Sequence, residues 1–137
     1  MGVEAKWLDD EKTILGFIYS GRWEWQEAFD MMEDSPRIMD EADGPVAVVV
    51  DMTAGRDLPS DPLKHILKLS QGRGKSKNDS GITVFLNANV LTKAMQDVME
   101  MTKMRVPPGL VAVYARTKDE AMEKAQQELD NYKSMNE

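Results

Sequence analysis

Between an apolar run and an amphipathic one, the stretch D51-M-T-A-G-R-D-L-P-S-D-P-L-K-H-I66 gathers six residues able to do chemistry: Asp51, Thr53, Arg56, Asp57, Ser60 and Asp61. Carboxylates, hydroxyls and one guanidinium so close together are either a working site or a polar turn with a helix cap. A phosphate on Ser60 would bring roughly −1.5 to −2 charges beside a helix start, which favours it. Arg56 would balance that charge, whereas Asp57 and Asp61 would oppose it. Asp61 also has a structural reading. Pro62 suits the first helical position, where its missing N–H costs nothing, and Asp61 before it is then expected to be the N-cap.

Other polar candidates are fewer. Asn87 and Asn89 follow an apolar run and are ordinary helix-capping residues. Open α/β sheets place ligands outside the carboxyl ends of their strands, so Asp51–Ser60 and Asn87–Asn89 are candidates for one shared surface. In L67-K-L-S-Q-G-R-G-K-S-K-N78, Arg73 and Lys75, with Lys68 and Lys77, crowd a glycine-containing loop that offers a possible anion contact. It contains Gly-Lys-Ser, but a phosphate-binding loop needs glycine where Leu69 stands and a helix afterwards, where this chain enters a strand. A solvated basic loop is the expectation.

His65 is the single histidine and the chain has no cysteine, so thiolate chemistry, disulfides and His/Cys metal sites are not expected. No nucleophile pairs with His65 by any recognisable spacing. No cofactor, metal or enzymatic activity is therefore expected.

The elements that position these residues follow from hydrophobic period. E4-A-K-W-L8 and T13-I-L-G-F-I-Y-S20 are strands joined by the turn D9-D-E-K12. After Gly21 the period becomes helical, with Trp25, Phe29, Met32 and Ile38 or Met39 on one stripe and a kink or restart expected at Pro36. Trp23 and Trp25 should face opposite ways, one into the core and one to the surface. G44-P-V-A-V-V-V-D51 is a near-continuous apolar run, as befits a central parallel strand covered on both faces. A helix over D61–S70 presents Leu63, Ile66, Leu67 and Ser70, and I82-T-V-F-L86 is the next strand. Leu91, Met95, Val98 and Thr102 mark another helix. P107-P-G109 punctuates, L110-V-A-V-Y-A115 is a strand, and T117-K-D-E120 is a capping box opening a last helix through Ala121, Ala125, Leu129 and Tyr132. The tail K133–E137 should fray. The order β-β-α-β-α-β-α-β-α implies one α/β domain over residues 1–137 with a mainly parallel sheet, to which the first hairpin adds an antiparallel strand.

At 137 residues one core suffices, and 42% hydrophobic with 30% charged residues is ordinary for a globular chain. No run approaches the roughly 18 apolar residues of a membrane span, so an integral membrane protein is not expected. The first ten residues lack the basic-then-apolar layout of a secretory signal, which makes a cytoplasmic location the expectation. With 24 acidic and 17 basic residues the net charge is −7, which repels a phosphate backbone and argues against nucleic acid.

Element order, size, and a strand ending in V50-D51 before a polar turn and short helix resemble the STAS family, the SpoIIAA-like domains of anti-sigma-factor antagonists and sulphate transporters. The run S20-G-R-W-E-W25 and the C-terminal capping-box helix resemble the stand-alone SpoIIAA-like proteins in particular. In STAS regulators an Asp-Ser-Ser-Gly type sequence opens the helix and a partner kinase phosphorylates a serine there. The matching positions here are P59-S-D-P62: Pro59 replaces the aspartate, Ser60 is kept, and Asp61 and Pro62 replace the next serine and the glycine. Depending on the alignment, the modifiable hydroxyl is either present as Ser60 or already replaced by the acid of Asp61, a permanent, phosphate-like charge.

The resemblance implies a non-enzymatic regulatory module with a protein partner, a kinase or regulator, contacting the turn after the third strand. A homo-oligomer is compatible with it. The alternative is a carrier of an apolar or amphipathic small molecule. The chain has 11 methionines, and Met31, Met32, Met39, Met95, Met99, Met101 and Met104 fall on two helices. Methionine at helical spacing fills cores but also builds adaptable grooves. Met99, Met101 and Met104 cannot share one narrow stripe, so that helix should expose a contact face.

Overall fold

Strands and helices alternate along the chain in the computed structural model, which describes residues 2–102 and 111–135 apart from the side chains of Leu63, Ser70 and Thr102. P107-P-G109, Met104 and the last two tail residues lie outside the described residues. The elements are β1 (Val3–Trp7), β2 (Ile14–Ser20), α1 (Trp25–Met39), β3 (Val46–Ala54), α2 (Pro62–Ser70), β4 (Asp79–Leu86), α3 (Asn89–Thr102), β5 (Val111–Ala115) and α4 (Lys118–Met135). The sheet runs β1-β2-β3-β4-β5, with β1 antiparallel to β2 and the other pairs parallel. This is the expected α/β order, with β3 at the centre. Among the described residues no helix is long and apolar enough to cross a membrane.

Alternation along the strands sorts the core into two layers. Leu15, Phe17, Tyr19, Val46, Val48, Val50, Met52 and Phe85 face α1, α2 and α3. Ile14, Ala47, Val49, Ile82, Val84 and Leu86 face α4. Register makes a row of Phe17, Val50 and Phe85 across the three middle strands.

The two helical layers meet the sheet differently. The inner stripe of α4 is Ala121, Ala125 and Leu129, all fully buried, and its small side chains let the helix lie directly on the strands. By contrast α2 and α3 pack chiefly on each other. Helix α2 also touches α1: the His65 ring stacks on Trp25 with centroids 5.2 Å apart, and the Lys68 ammonium lies 4.3 Å from the centre of the Phe29 ring.

Local chemistry explains the boundaries. The first turn closes on Asp9, whose carboxylate accepts the N–H groups of Thr13 and Ile14, each at 3.0 Å, and the Thr13 hydroxyl. Helix α1 starts in a capping box, with Glu27 accepting the Glu24 N–H at 2.8 Å. The same carboxylate accepts the Gly2 N–H, and these two bonds hold the Glu27 carboxyl below the ordinary glutamate range. The helix runs through Pro36 without the expected restart. Pro36 has no N–H for the Met32 carbonyl, and the Ser35 hydroxyl donates to that carbonyl instead, at 2.9 Å. At α4, Thr117 accepts the Glu120 N–H at 3.1 Å while Glu120 reaches back to the Arg116 N–H at 2.9 Å, so the expected box forms one residue wider.

Candidate functional site

The α2–α3 pair covers the sheet incompletely: Ile66, Leu91 and Val98 are buried in one cluster with the strand side chains, yet space remains beneath the helices. A cavity of ≈ 640 Å³ lies there, with Phe17, Tyr19, Val50 and Phe85 as its floor and Met32, Ile66, Leu69, Leu91 and Met95 as its helical walls. The rim is at the amino edge of β4 and β5, where Gly74, Val111, Asn131 and Met135 are exposed. Walls of this kind exclude water without offering it partners, which is the character of ligand pockets.

The cavity has two polar ends. At the amino edge, Arg73 and Asp79 form a bidentate pair: Nε donates at 2.8 Å and Nη2 at 2.7 Å, and Nη1 donates to the Thr83 hydroxyl. Asp79 also accepts the N–H groups of Gly74 at 3.0 Å and Gly81 at 2.9 Å. Its side chain is only 2% exposed. Burial pushes the Asp79 carboxyl up, but the Arg73 bonds and charge with the two glycine N–H groups outweigh burial and hold it below the ordinary range.

At the other end stands Tyr19. Register places it beside the carboxyl end of β3, between the pairs Ile18–Asp51 and Ser20–Ala54, whereas Asp79 pairs with Val46. At a rise of about 3.3 Å per residue the two ends are about 20 Å apart. Tyr19 is 3% exposed and packs edge-on against Trp23 at 4.7 Å. Burial holds its phenol well above the usual tyrosine range, so it remains an uncharged O–H. Its hydroxyl has no hydrogen-bond partner among the described residues, although it is not sealed off as the Trp7 indole N–H is.

The sequence-derived candidates form a second, separate grouping at the carboxyl edge of the sheet. Asp51 accepts the Thr53 N–H at 2.9 Å, and the Asn87 amide donates to the Thr53 hydroxyl at 2.8 Å, so the carboxyl end of β3, which holds both Asp51 and Thr53, meets the turn after β4 in one surface. Arg56, Asp57, Ser60 and Asp61 are exposed along it. Two tryptophans hold this turn from beneath: Trp23 Nε1 donates to the Gly55 carbonyl at 3.3 Å and Trp25 Nε1 to the Ser60 carbonyl at 2.8 Å. Both rings are buried, at 3% and 6% exposure, where one was expected at the surface. The indole N–H groups account for the difference, since each finds a carbonyl inside the fold.

Four candidates depart from their expected roles. Asp61 precedes α2 in the left-handed region, φ 60°, and its side chain makes no capping bond. Its carbonyl instead lies 2.8 Å from His65 Nδ1, which donates to it. Asn87 is also left-handed, φ 53°, and spends its amide on Thr53 and not on a helix end, while Asn89 is the first residue of α3 itself. Arg73 is not in a solvated loop: its side chain is 14% exposed and ion-paired, because Asp79 lies within reach across the turn. Lys75 next to it is exposed, as expected.

Of the ten candidates only Arg73 lines the cavity. Sequence reasoning passed over Tyr19, Asp79 and Thr83. The signal for Tyr19 was the alternation Leu15, Phe17, Tyr19, which puts a phenol on an otherwise hydrocarbon face. For Asp79 it was an acid closely following Arg73, Lys75 and Lys77 and standing before Ser-Gly. Among the described residues no group of His, Asp or Glu is arranged to hold a metal ion. No family model, curated protein or solved structure matches the chain.

Proposed function

We propose that this chain is a non-enzymatic carrier or sensor that holds an elongated apolar or amphipathic small molecule between its sheet and the α2–α3 pair. The observation that carries this reading is the ≈ 640 Å³ cavity with an aromatic floor and aliphatic and methionine walls. Its size falls within the roughly 300–1,000 Å³ of small-molecule sites. Met32 and Met95 supply the adaptable part of the wall. A cytoplasmic setting belongs to the same proposal.

Native mass spectrometry of gently purified protein should show a stoichiometric extra mass, and the stripped protein should bind diphenylhexatriene, a rod-shaped hydrocarbon dye. Met95→Trp places an indole inside the cavity and should abolish both while leaving the circular dichroism spectrum unchanged. A wild-type chain that carries no extra mass and binds no dye would sink the carrier reading.

A second reading is favoured by the tie between Thr53 and Asn87, which joins the carboxyl end of β3 to the turn after β4 in one polar surface. Here the chain is a regulatory module resembling STAS domains, and a protein partner contacts Asp57 and Ser60. Asp57→Lys and Ser60→Glu should then weaken capture of that partner from native lysate, and intact-mass analysis should find phosphate on Ser60. Equal capture by both variants, with Ser60 always unmodified, would remove it.

A further inference from the structure

Resting on the carrier reading, the chemistry of the two cavity ends narrows what the cavity accepts. We infer that its ligand is an uncharged, largely hydrocarbon molecule with one hydrogen-bonding oxygen, an alcohol or ketone of lipid character, and that this oxygen pairs with the Tyr19 hydroxyl.

The inner end supports this first. Tyr19 is 3% exposed, lines the cavity, and has no partner for its hydroxyl among the described residues. A buried hydroxyl facing hydrocarbon alone is costly, so an oxygen opposite it is favoured over a plain alkyl end. A phenol both donates and accepts, so either a carbonyl or a hydroxyl satisfies it. Burial keeps this phenol protonated across all ordinary pH.

Charge is excluded by what surrounds it. The Arg73 guanidinium is already matched by Asp79 in a bidentate pair and by Thr83, and Asp79 is completed by two backbone N–H groups. Neither is a free counter-ion for a ligand head. A carboxylate or ammonium brought to Tyr19 would be desolvated with only a neutral phenol to meet it. An ion seated tail-first, with its head near Glu128 at the rim, would leave the Tyr19 hydroxyl facing alkyl chain.

The test uses displacement of diphenylhexatriene from the full-length, stripped protein by dodecanol, dodecanoate and dodecylammonium, which share one chain and differ in the head. Dodecanol should displace the dye at a concentration at least about tenfold lower than either ion, the margin set by desolvating a charge. Tyr19→Phe removes an oxygen that a hydrocarbon dye leaves unpartnered, so dye binding should hold or tighten, while dodecanol weakens relative to the dye by roughly three- to tenfold, as one lost hydrogen bond implies. Displacement by dodecanoate or dodecylammonium that matches or betters dodecanol overturns the inference, as does a Tyr19→Phe variant with unaltered dodecanol affinity. In both cases the dye still binds, and the carrier reading survives. Failure of the dye to bind at all overturns the carrier reading itself.

Discussion

Removing the Asp79 carboxylate tests the packing at the cavity's amino end. Asp79→Ala takes away the acceptor for four donors: Arg73 Nε and Nη2 and the N–H groups of Gly74 and Gly81. The side chains involved are 14% exposed for Arg73 and 2% for Asp79, so water does not replace what is lost. Breaking a buried pair by deleting one partner costs about 3–5 kcal/mol, because the other charge stays uncompensated. Against a total stability of about 5–15 kcal/mol, that is a large fraction. Urea unfolding followed by circular dichroism should show the midpoint falling steeply with little change of slope. The double variant Arg73→Met, Asp79→Leu removes both charges and supplies hydrocarbon of similar size. It should recover most of the loss, since apolar replacement of a whole buried pair is often neutral. Loss of less than about 1 kcal/mol in Asp79→Ala is the behaviour of a solvated surface pair and would refute this account of the site.

Three further outcomes follow from single groups. The Asp79 carboxyl is held below its unfolded value of about 3.9, so its contribution is complete above that pH and is lost as pH falls through the lower folded value. Urea midpoints of the wild type should therefore drop more steeply below about pH 4 than those of Asp79→Asn. At Asp61 the left-handed backbone predicts that Asp61→Gly holds or raises stability while Asp61→Ala loses about 1 kcal/mol; a capping role would make both lose stability. Trp25→Phe keeps a ring against His65 but drops the bond to the Ser60 carbonyl, and should cost about 1 kcal/mol and speed amide exchange in the turn after β3.

The α/β order was readable because every strand is either an unbroken apolar run or a clean alternation, and every helix carries a stripe of the right period. The central place of β3 followed from the same patterns, since V46-A-V-V-V50 can be satisfied only when covered on both faces. What could not be read is contact between distant residues. Nothing local tells that Arg73 reaches Asp79 and Thr83, so a basic, glycine-bearing loop was expected to be solvated. Nothing local tells that Asn87 meets Thr53. The Asp61-Pro62 pair shows a different limit. Its residue types fit a helix cap, but proline restricts the residue before it, and the backbone here takes the left-handed region, from which the side chain makes no capping bond.

The cavity was least readable of all, because a void is a property of spacing and not of any residue. Period correctly assigns Ile66, Leu91 and Met95 to inward stripes and passes over Leu69, yet says nothing about how far in they reach. On the α4 side two alanines bring the helix onto the strands. On the other side α2 is only nine residues long and is tied to α1 by His65 on Trp25, Lys68 on Phe29 and the Trp25 bond to Ser60. Those contacts belong to the turn after β3, the stretch whose polar residues first invite a chemical reading. Its structural effect lies in where it sets α2 down: against the aromatic shoulder of α1, with the sheet's Phe17, Tyr19 and Phe85 left facing a space their neighbours do not fill.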